Sequence, residues 1–374
     1  MLTKAQGVIT ATLFLVTVSI NLQMPLYLTY ARAAGMGVGV TALVFSAYVV
    51  GVLPVLIGLG GVSDRFGRKP VLVAGLCCFL VGTGMTMVFP TMYGLLVTRF
   101  LQGIGLGLSV ATGTAYLSDL RQEHGLDGAR QAAKQVALAT SLGFGVGPLS
   151  TDIAELIHPS AAPLSYGIVF MLLLACLGSV SRLPSVPTPG GALVRLPHYP
   201  RGSIAVGLGI ATAWAITGIV ITVVPGQLVR YGLAAWSPIA LFLVNGVGAL
   251  AQPLARRLAD KTSMRVGYVF MSVGTLLLTW GSWIGNVLLL LAGSAIAGAA
   301  CYGFTYLGGL AIVSKLGENR RASAVAGYYL FAYVGLGAPS VCVGFLADAV
   351  GTVHALIGFA AVVLVASGAL GMRK

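Results

Sequence analysis

Few residues of this chain are equipped for chemistry, and their positions narrow what that chemistry is. Of 374 residues, nine are acidic and four are histidine. Arg99, Asp152 and Glu155 lie inside or at the end of long apolar runs. If those runs sit in lipid, an arginine there must be paired, hydrated or bound to backbone oxygens to repay its desolvation. Paired with Asp152 or Glu155, it gives an acid whose hold on a proton depends on whether the arginine is engaged. Fixed on backbone carbonyls or hydrated in a cavity, it leaves Asp152 as an interfacial group. Asp348 is the remaining acid that could serve proton coupling. Hydrolysis is disfavoured, because His124, His158, His198 and His354 fall in loops or at run ends, with no Ser/His or His/Asp set at depth. Cys77, Cys78, Cys176, Cys301 and Cys342 form no CxxC or Cys/His cluster, so they read as small core hydrophobes, and no metal or cofactor is expected. Gly103-Ile-Gly105-Leu-Gly107 has glycine spacing like a dinucleotide loop but follows no strand; it suits close helix contact instead. An enzyme is therefore not expected.

The elements that carry these residues follow from composition. Fifty-seven per cent of the chain is hydrophobic and only 8% is charged, with a mean hydropathy of +0.94. A soluble domain needs about a quarter of its residues charged, so a soluble enzyme is excluded. Fifty-two glycines, many inside apolar runs, suit helices that approach closely in lipid. Runs long enough to cross the hydrocarbon lie at about 8–30, 41–61, 70–89, 92–117, 135–157 and 164–182, then at about 203–225, 236–257, 266–284, 286–313, 322–347 and 352–371. Lys4, the first apolar run and Ala31-Arg32-Ala33 share features with a signal peptide. The run is longer than a usual signal core and carries Asn21 and Gln23, so it reads as the first span. With the N-terminus inside, 19 of 22 basic residues fall in inner segments; Arg32 and Arg230 lie outside and Arg99 within a span. The net charge of +13 is thus an orientation signal, with no nucleic acid implied and both termini cytoplasmic. On this topology Arg99 lies ~12 Å and Asp152 ~8 Å from the outer surface, at 1.5 Å of rise per residue.

The proline-rich stretch 183–202 divides the chain into a six-span half at 1–182 and a second at 203–374. The halves echo each other. Gly61-Val-Ser-Asp64-Arg65-Phe-Gly67-Arg68-Lys69 follows the second span, and Asp260-Lys261 follows the eighth at an offset of 196. Gly143-Phe-Gly145-Val-Gly147-Pro148 in the fifth span is echoed by Gly335-Leu-Gly337-Ala-Pro339 in the eleventh. Such duplication is characteristic of secondary transporters with parallel halves. The loop Gly61–Lys69, Arg99-Phe-Leu-Gln102-Gly103 in the fourth span, and Gly143-x-x-x-Gly147-Pro148 resemble three motifs of the major facilitator superfamily, and the topology extends the resemblance over the whole chain. Ser150 and Thr151 stand where the antiporter motif usually carries glycines.

The resemblance implies an all-α membrane fold of twelve transmembrane helices in two pseudo-symmetric six-helix bundles, working as a monomer. It is similar to drug or metabolite:proton antiporters of the bacterial inner membrane, with the lipid bilayer, protons and a small organic substrate as its partners. Efflux is the leading expectation; proton-coupled import of a sugar or organic acid is the alternative. Asp64, with Gly61, Arg65, Gly67, Arg68 and Lys69, would latch onto the start of the eleventh span near Arg320, Arg321 and Ser323. Asp260 with Lys261 would meet the start of the fifth span near Arg130 and Lys134. Gly143, Gly147 and Pro148 would kink the fifth span. The family's cavity-lining spans here offer Asn21, Gln23, Thr112, Trp214, Thr217, Tyr302, Tyr306, Tyr329 and Tyr333, joined by Asn245 of the eighth. Many tyrosines and few charges favour neutral or amphipathic organic molecules.

Overall fold

In the computed structural model, residues 2–121, 125–186, 190, 193–194 and 196–372 are described, and they contain no strand. The helices are α1 (Leu2–Asn21), α2 (Leu26–Ala33), α3 (Val38–Gly58), α4 (Val62–Phe66), α5 (Arg68–Val88), α6 (Met92–Asp119), α7 (Gly125–Ile157) and α8 (Leu164–Ser181), then α9 (Ser203–Thr222), α10 (Val224–Arg230), α11 (Ser237–Ala255), α12 (Asp260–Ile284), α13 (Val287–Gly298), α14 (Tyr306–Leu316), α15 (Arg321–Val350) and α16 (Thr352–Gly371). A π-helical segment, Ala299–Thr305, joins α13 to α14. Among the described residues, eleven helical stretches are long and apolar enough to cross a membrane. The polar-ended α7, at 33 residues, supplies a twelfth of sufficient length.

Contacts divide the chain into two compact units, Met1–Gln23 with Val50–Leu196, and Met24–Val49 with Pro197–Lys374. The first unit is built on small-residue contacts. α1 lies along α7, where a Cβ on Gly143 would stand 2.7 Å from the Phe14 carbonyl oxygen, and one on Gly147 2.7 Å from that of Val18. α7 runs on through Pro148, and the Ser150 hydroxyl donates to the Gly147 carbonyl at 2.7 Å, occupying an acceptor in the proline-interrupted turn. Hydroxyls pair where spans meet: Ser19 with Thr83 at 3.0 Å, Thr86 with Thr98 at 2.8 Å, and Thr151 with Ser165 at 3.0 Å. In lipid no water replaces these partners, so polar groups are satisfied inside the bundle. Gly147→Leu is expected to force α1 off α7 and sharply reduce folded protein in the membrane, read by fluorescence-detected size-exclusion chromatography; a wild-type profile would contradict this packing.

In the second unit α9 and α15 form the most extensive helix pair, with Gly207 under the Phe331 ring and Gly218 against Ser340 and Leu336. α12 meets α13 at Gly274 and Gly293; a Cβ on Gly293 would lie 2.9 Å from the Gly274 carbonyl oxygen. The π segment packs on α11 and α12, with Phe304 buried against Ala255 and Ala299. A π turn displaces the regular i→i−4 ladder and leaves carbonyls to satisfy. Gln252 donates to the Tyr302 carbonyl at 3.4 Å, Ser263 to that of Phe304 at 2.9 Å, and the Tyr328 hydroxyl to that of Thr305 at 3.1 Å.

Candidate functional site

The loop after the second span forms a buried ion-pair cluster. The span ends at Gly58, and Asp64 lies in the separate short helix α4 rather than on the span's last turn, where its own helix dipole would oppose it. Gly67, at φ +98°, turns the chain into α5, a conformation that favours glycine. Arg68 then reaches back to Asp64, donates to the Ser63 hydroxyl at 2.8 Å and pairs with Asp119 at 2.8 Å. Both Asp64 and Arg68 are buried. Lys69 donates to the Ser181 and Leu183 carbonyls at 3.3 and 3.1 Å, the Gly61 amide donates to the Leu193 carbonyl at 3.1 Å, and Arg65 is exposed beside the Phe66 ring. Asp260 opens α12 and pairs with Lys315 at 2.5 Å, while Lys261 is exposed. The side chains of Arg130 and Lys134, the expected partners of Asp260, lie outside the described residues.

Arg99 sits beneath a break in the first span. Pro25 has no amide hydrogen, and the chain leaves helical geometry between α1 and α2, freeing carbonyls at the end of α1. Arg99 Nη1 donates to the Ile20 carbonyl at 2.6 Å, and Gln23 Nε2 donates to the same oxygen at 2.9 Å. Gln23 also donates to Gln102 at 2.5 Å, and Gln102 to the Ser19 carbonyl at 3.3 Å. Asn21 is spent on the Thr17 carbonyl at 2.7 Å. The backbone-anchored arrangement of Arg99 is therefore realised, and two cavity candidates, Asn21 and Gln23, hold the first span's own backbone. On α7, Glu155 accepts from the Ser160 amide at 3.3 Å, whereas Asp152 Oδ2 is buried with no hydrogen-bond partner among the described residues.

The aromatic candidates of the second unit do come together. Trp214 on α9 contacts Tyr302 of the π segment and Tyr333 of α15, with ring centroids 5.7 and 5.3 Å apart. Tyr48 of α3 extends the row edge-on to Tyr333 at 6.1 Å. Tyr306 and Tyr329 share a hydroxyl hydrogen bond of 2.7 Å. Tyr302, Tyr306, Tyr329 and Tyr333 are half-buried, so each keeps a partly open face. The Trp214 indole nitrogen and Asn245 Oδ1 are buried without hydrogen-bond partners among the described residues. Thr217 and, in the first unit, Thr112 are buried.

Three features escaped sequence reasoning. Asp119 completes the Arg68 cluster; its signal was an acid closing an apolar span beside the basic loop. Tyr48 belongs to the aromatic row but lies in the second span, outside the spans that line the cavity in the family. The π segment has no local signature beyond the small, glycine-containing run from Gly298 to Gly303.

The family profile of the Major Facilitator Superfamily matches residues 9–338. The chain is 28% identical over 292 residues to the chloramphenicol resistance protein CraA of Acinetobacter baumannii, covering 72% of this chain and 67% of that protein. It is 24% identical over 337 residues to the multidrug resistance protein MdtL of Klebsiella pneumoniae, covering 81% of each. Among solved structures, the nucleoside transporter NupG superposes with a TM-score of 0.78 at 14% identity over 100% of both chains. A D-xylose-proton symporter superposes with a TM-score of 0.74 at 14% identity over 98% of this chain and 96% of that one. At such identities the superpositions establish the fold alone. With the family profile spanning nearly the whole chain and twelve long helices on the page, the chain belongs to the Major Facilitator Superfamily and is a multi-pass membrane transporter, not an enzyme.

Proposed function

We propose that this transporter exports small neutral or amphipathic organic compounds, drug-like molecules or metabolites, across a bacterial inner membrane in exchange for protons. The observation that carries this reading is the row Trp214, Tyr302 and Tyr333, with an indole N–H and the Asn245 amide oxygen buried nearby in the same unit and unpartnered. Aromatic faces bind apolar bodies, and a few unpaired polar atoms select molecules able to hydrogen-bond with them. The buried guanidinium of Arg99 donates to a backbone carbonyl, so an anionic substrate has less to recommend it. The two relatives named for drug resistance support the same reading. The six-span halves 1–182 and 203–374, joined by 183–202, serve as the moving bodies, with both termini cytoplasmic and one chain sufficient. In the proposed cycle the Asp64 and Asp260 loops latch the cytoplasmic side, and Asp152 carries the proton.

Flux into proteoliposomes, measured across a panel of neutral, cationic and carboxylate compounds with and without a pH gradient, tests this directly. Neutral aromatic compounds should be moved in a gradient-dependent manner and carboxylates should not; flux indifferent to the gradient would refute proton coupling. Trp214→Ala should raise KM for an aromatic substrate about three- to tenfold, the worth of one aromatic contact, with little change in kcat. An unchanged KM would remove the aromatic row from the binding surface.

A further inference from the structure

The second and eleventh spans meet along their outer halves, and one carboxylate fastens the end of that contact. α3 begins at Val38 after Gly37, whose lack of a side chain leaves the first amides of the helix without a local cap. Asp348, in the last turn of α15, supplies the acceptors: Oδ1 takes the Val38 amide and Oδ2 the Gly39 amide, each at 2.8 Å. A carboxylate at the C-terminal end of its own helix is disfavoured by that helix's dipole and favoured by the N-terminus it faces, so its placement is explained by α3 rather than by α15. The fit is close. A Cβ on Gly37 would stand 2.5 to 2.7 Å from the Asp348 carboxylate, and one on Gly344 would lie 3.0 Å from Gly39 Cα and the Val38 carbonyl oxygen. The contact continues inward through the Ser46 hydroxyl, which donates to the Gly337 carbonyl at 3.1 Å, and ends at Tyr48 and Tyr333. It therefore runs from the outer helix ends to the aromatic row of the proposed substrate surface.

We propose that Asp348 is an outer clamp, closed in the state seen here, whose release from the start of α3 is required for the transporter to open outward. It goes beyond the proposed cytoplasmic latch and makes a pair with it. In two antiparallel helices each C-terminal end lies beside the other's N-terminal end. Asp64 follows the second span and is held by Arg68, whereas Asp348 closes the eleventh span on the first amides of α3. Outward opening then requires that the Asp348 contact with the start of α3 be given up. Asp348 is a positioning residue here and touches no substrate.

A cavity of about 140 Å³ beside the clamp is lined by Gly37, Val38, Thr41, Thr222 and Asp348 among others, and gives the test its probe. Thr41→Cys is introduced, and its reaction with a membrane-impermeant maleimide from outside whole cells is measured as the increment over the parent carrying Thr41. Adding Asp348→Ala should raise the labelling rate about fivefold, the shift expected when charge-assisted hydrogen bonds at a partly exposed helix end are lost. Gly37→Ser should do the same by a different route, because its Cβ displaces the carboxylate while its hydroxyl caps α3; it serves if Asp348→Ala accumulates poorly. Unchanged labelling in both clamp variants overturns the proposal. The measurement needs no substrate, although assigning the outer face rests on the topology proposed above. Altered labelling in a protein that moves no drug would leave the clamp standing and remove the efflux reading alone.

Discussion

Asp152→Asn is expected to abolish pH-driven accumulation of substrate while sparing its exchange between the two sides of the membrane. The Asp152 carboxylate has one buried oxygen with no hydrogen-bond partner among the described residues, near the C-terminal end of α7. Taking up a proton removes the charge and releasing it restores the charge, the exchange that coupling needs. A gradient of one pH unit sustains about a tenfold concentration ratio per coupled proton. In the variant this ratio should fall toward one, with counterflow intact because no charge change is needed to swap substrate for substrate. Glu155→Gln is the internal comparison: Glu155 is engaged by the Ser160 amide beyond the helix end, and its variant should keep the gradient-driven ratio. Gradient-driven accumulation that survives Asp152→Asn would move the proton elsewhere. The readout is a radiolabelled or fluorescent substrate in proteoliposomes, with a protonophore collapsing the gradient as reference.

Arg99→Ala should lose both stability and transport. Arg99 is 2% exposed, and its guanidinium donates to the Ile20 carbonyl at the point where the first span breaks. Truncation removes a charge-assisted hydrogen bond, leaves a void the size of a long side chain, and burdens Gln23 with the freed carbonyl. Losses of this kind amount to about 2–4 kcal/mol together. Thermal unfolding in detergent should show a clearly lowered midpoint, and flux should fall with it, because the end of α1 is no longer pinned to α6. Arg99→Lys keeps the charge but replaces a planar fork with a single ammonium group and should recover only part of both. A wild-type unfolding midpoint for Arg99→Ala would show that the arginine holds nothing.

Much of the architecture was legible because its signals are local. Each span declares itself through its own length of apolar sequence, and the lysines and arginines of each loop carry the orientation expected of it. The aromatic candidates Trp214, Tyr302 and Tyr333 were found by placing spans, and ring contacts join them. Asn21 and Gln23, expected in the cavity, donate to backbone carbonyls of the first span. Asn21 bonds back within its own helix, while Gln23, just past the end of α1, also reaches Gln102 of α6, a partner seventy-nine residues away. Asp64 has its buried partner Arg68 four residues away, and the second acid on Arg68, Asp119, lies fifty-one residues beyond it. That separation carries no pattern along the chain.

By itself the sequence determined a transporter family, its spans and the motif loops, since hydropathy, charge bias and glycine spacing act within one helix or one turn. The tertiary structure alone decided which polar groups are consumed in holding backbone and which are left open. It committed Arg99 to Ile20, left an oxygen of Asp152 unpartnered, inserted a π segment under Tyr302, and brought Asp348 onto the first amides of α3. Each of these depends on two helices meeting in one register and no other. In a bilayer every backbone donor and acceptor must find a partner inside the protein, and which partner it finds is fixed only when the helices pack.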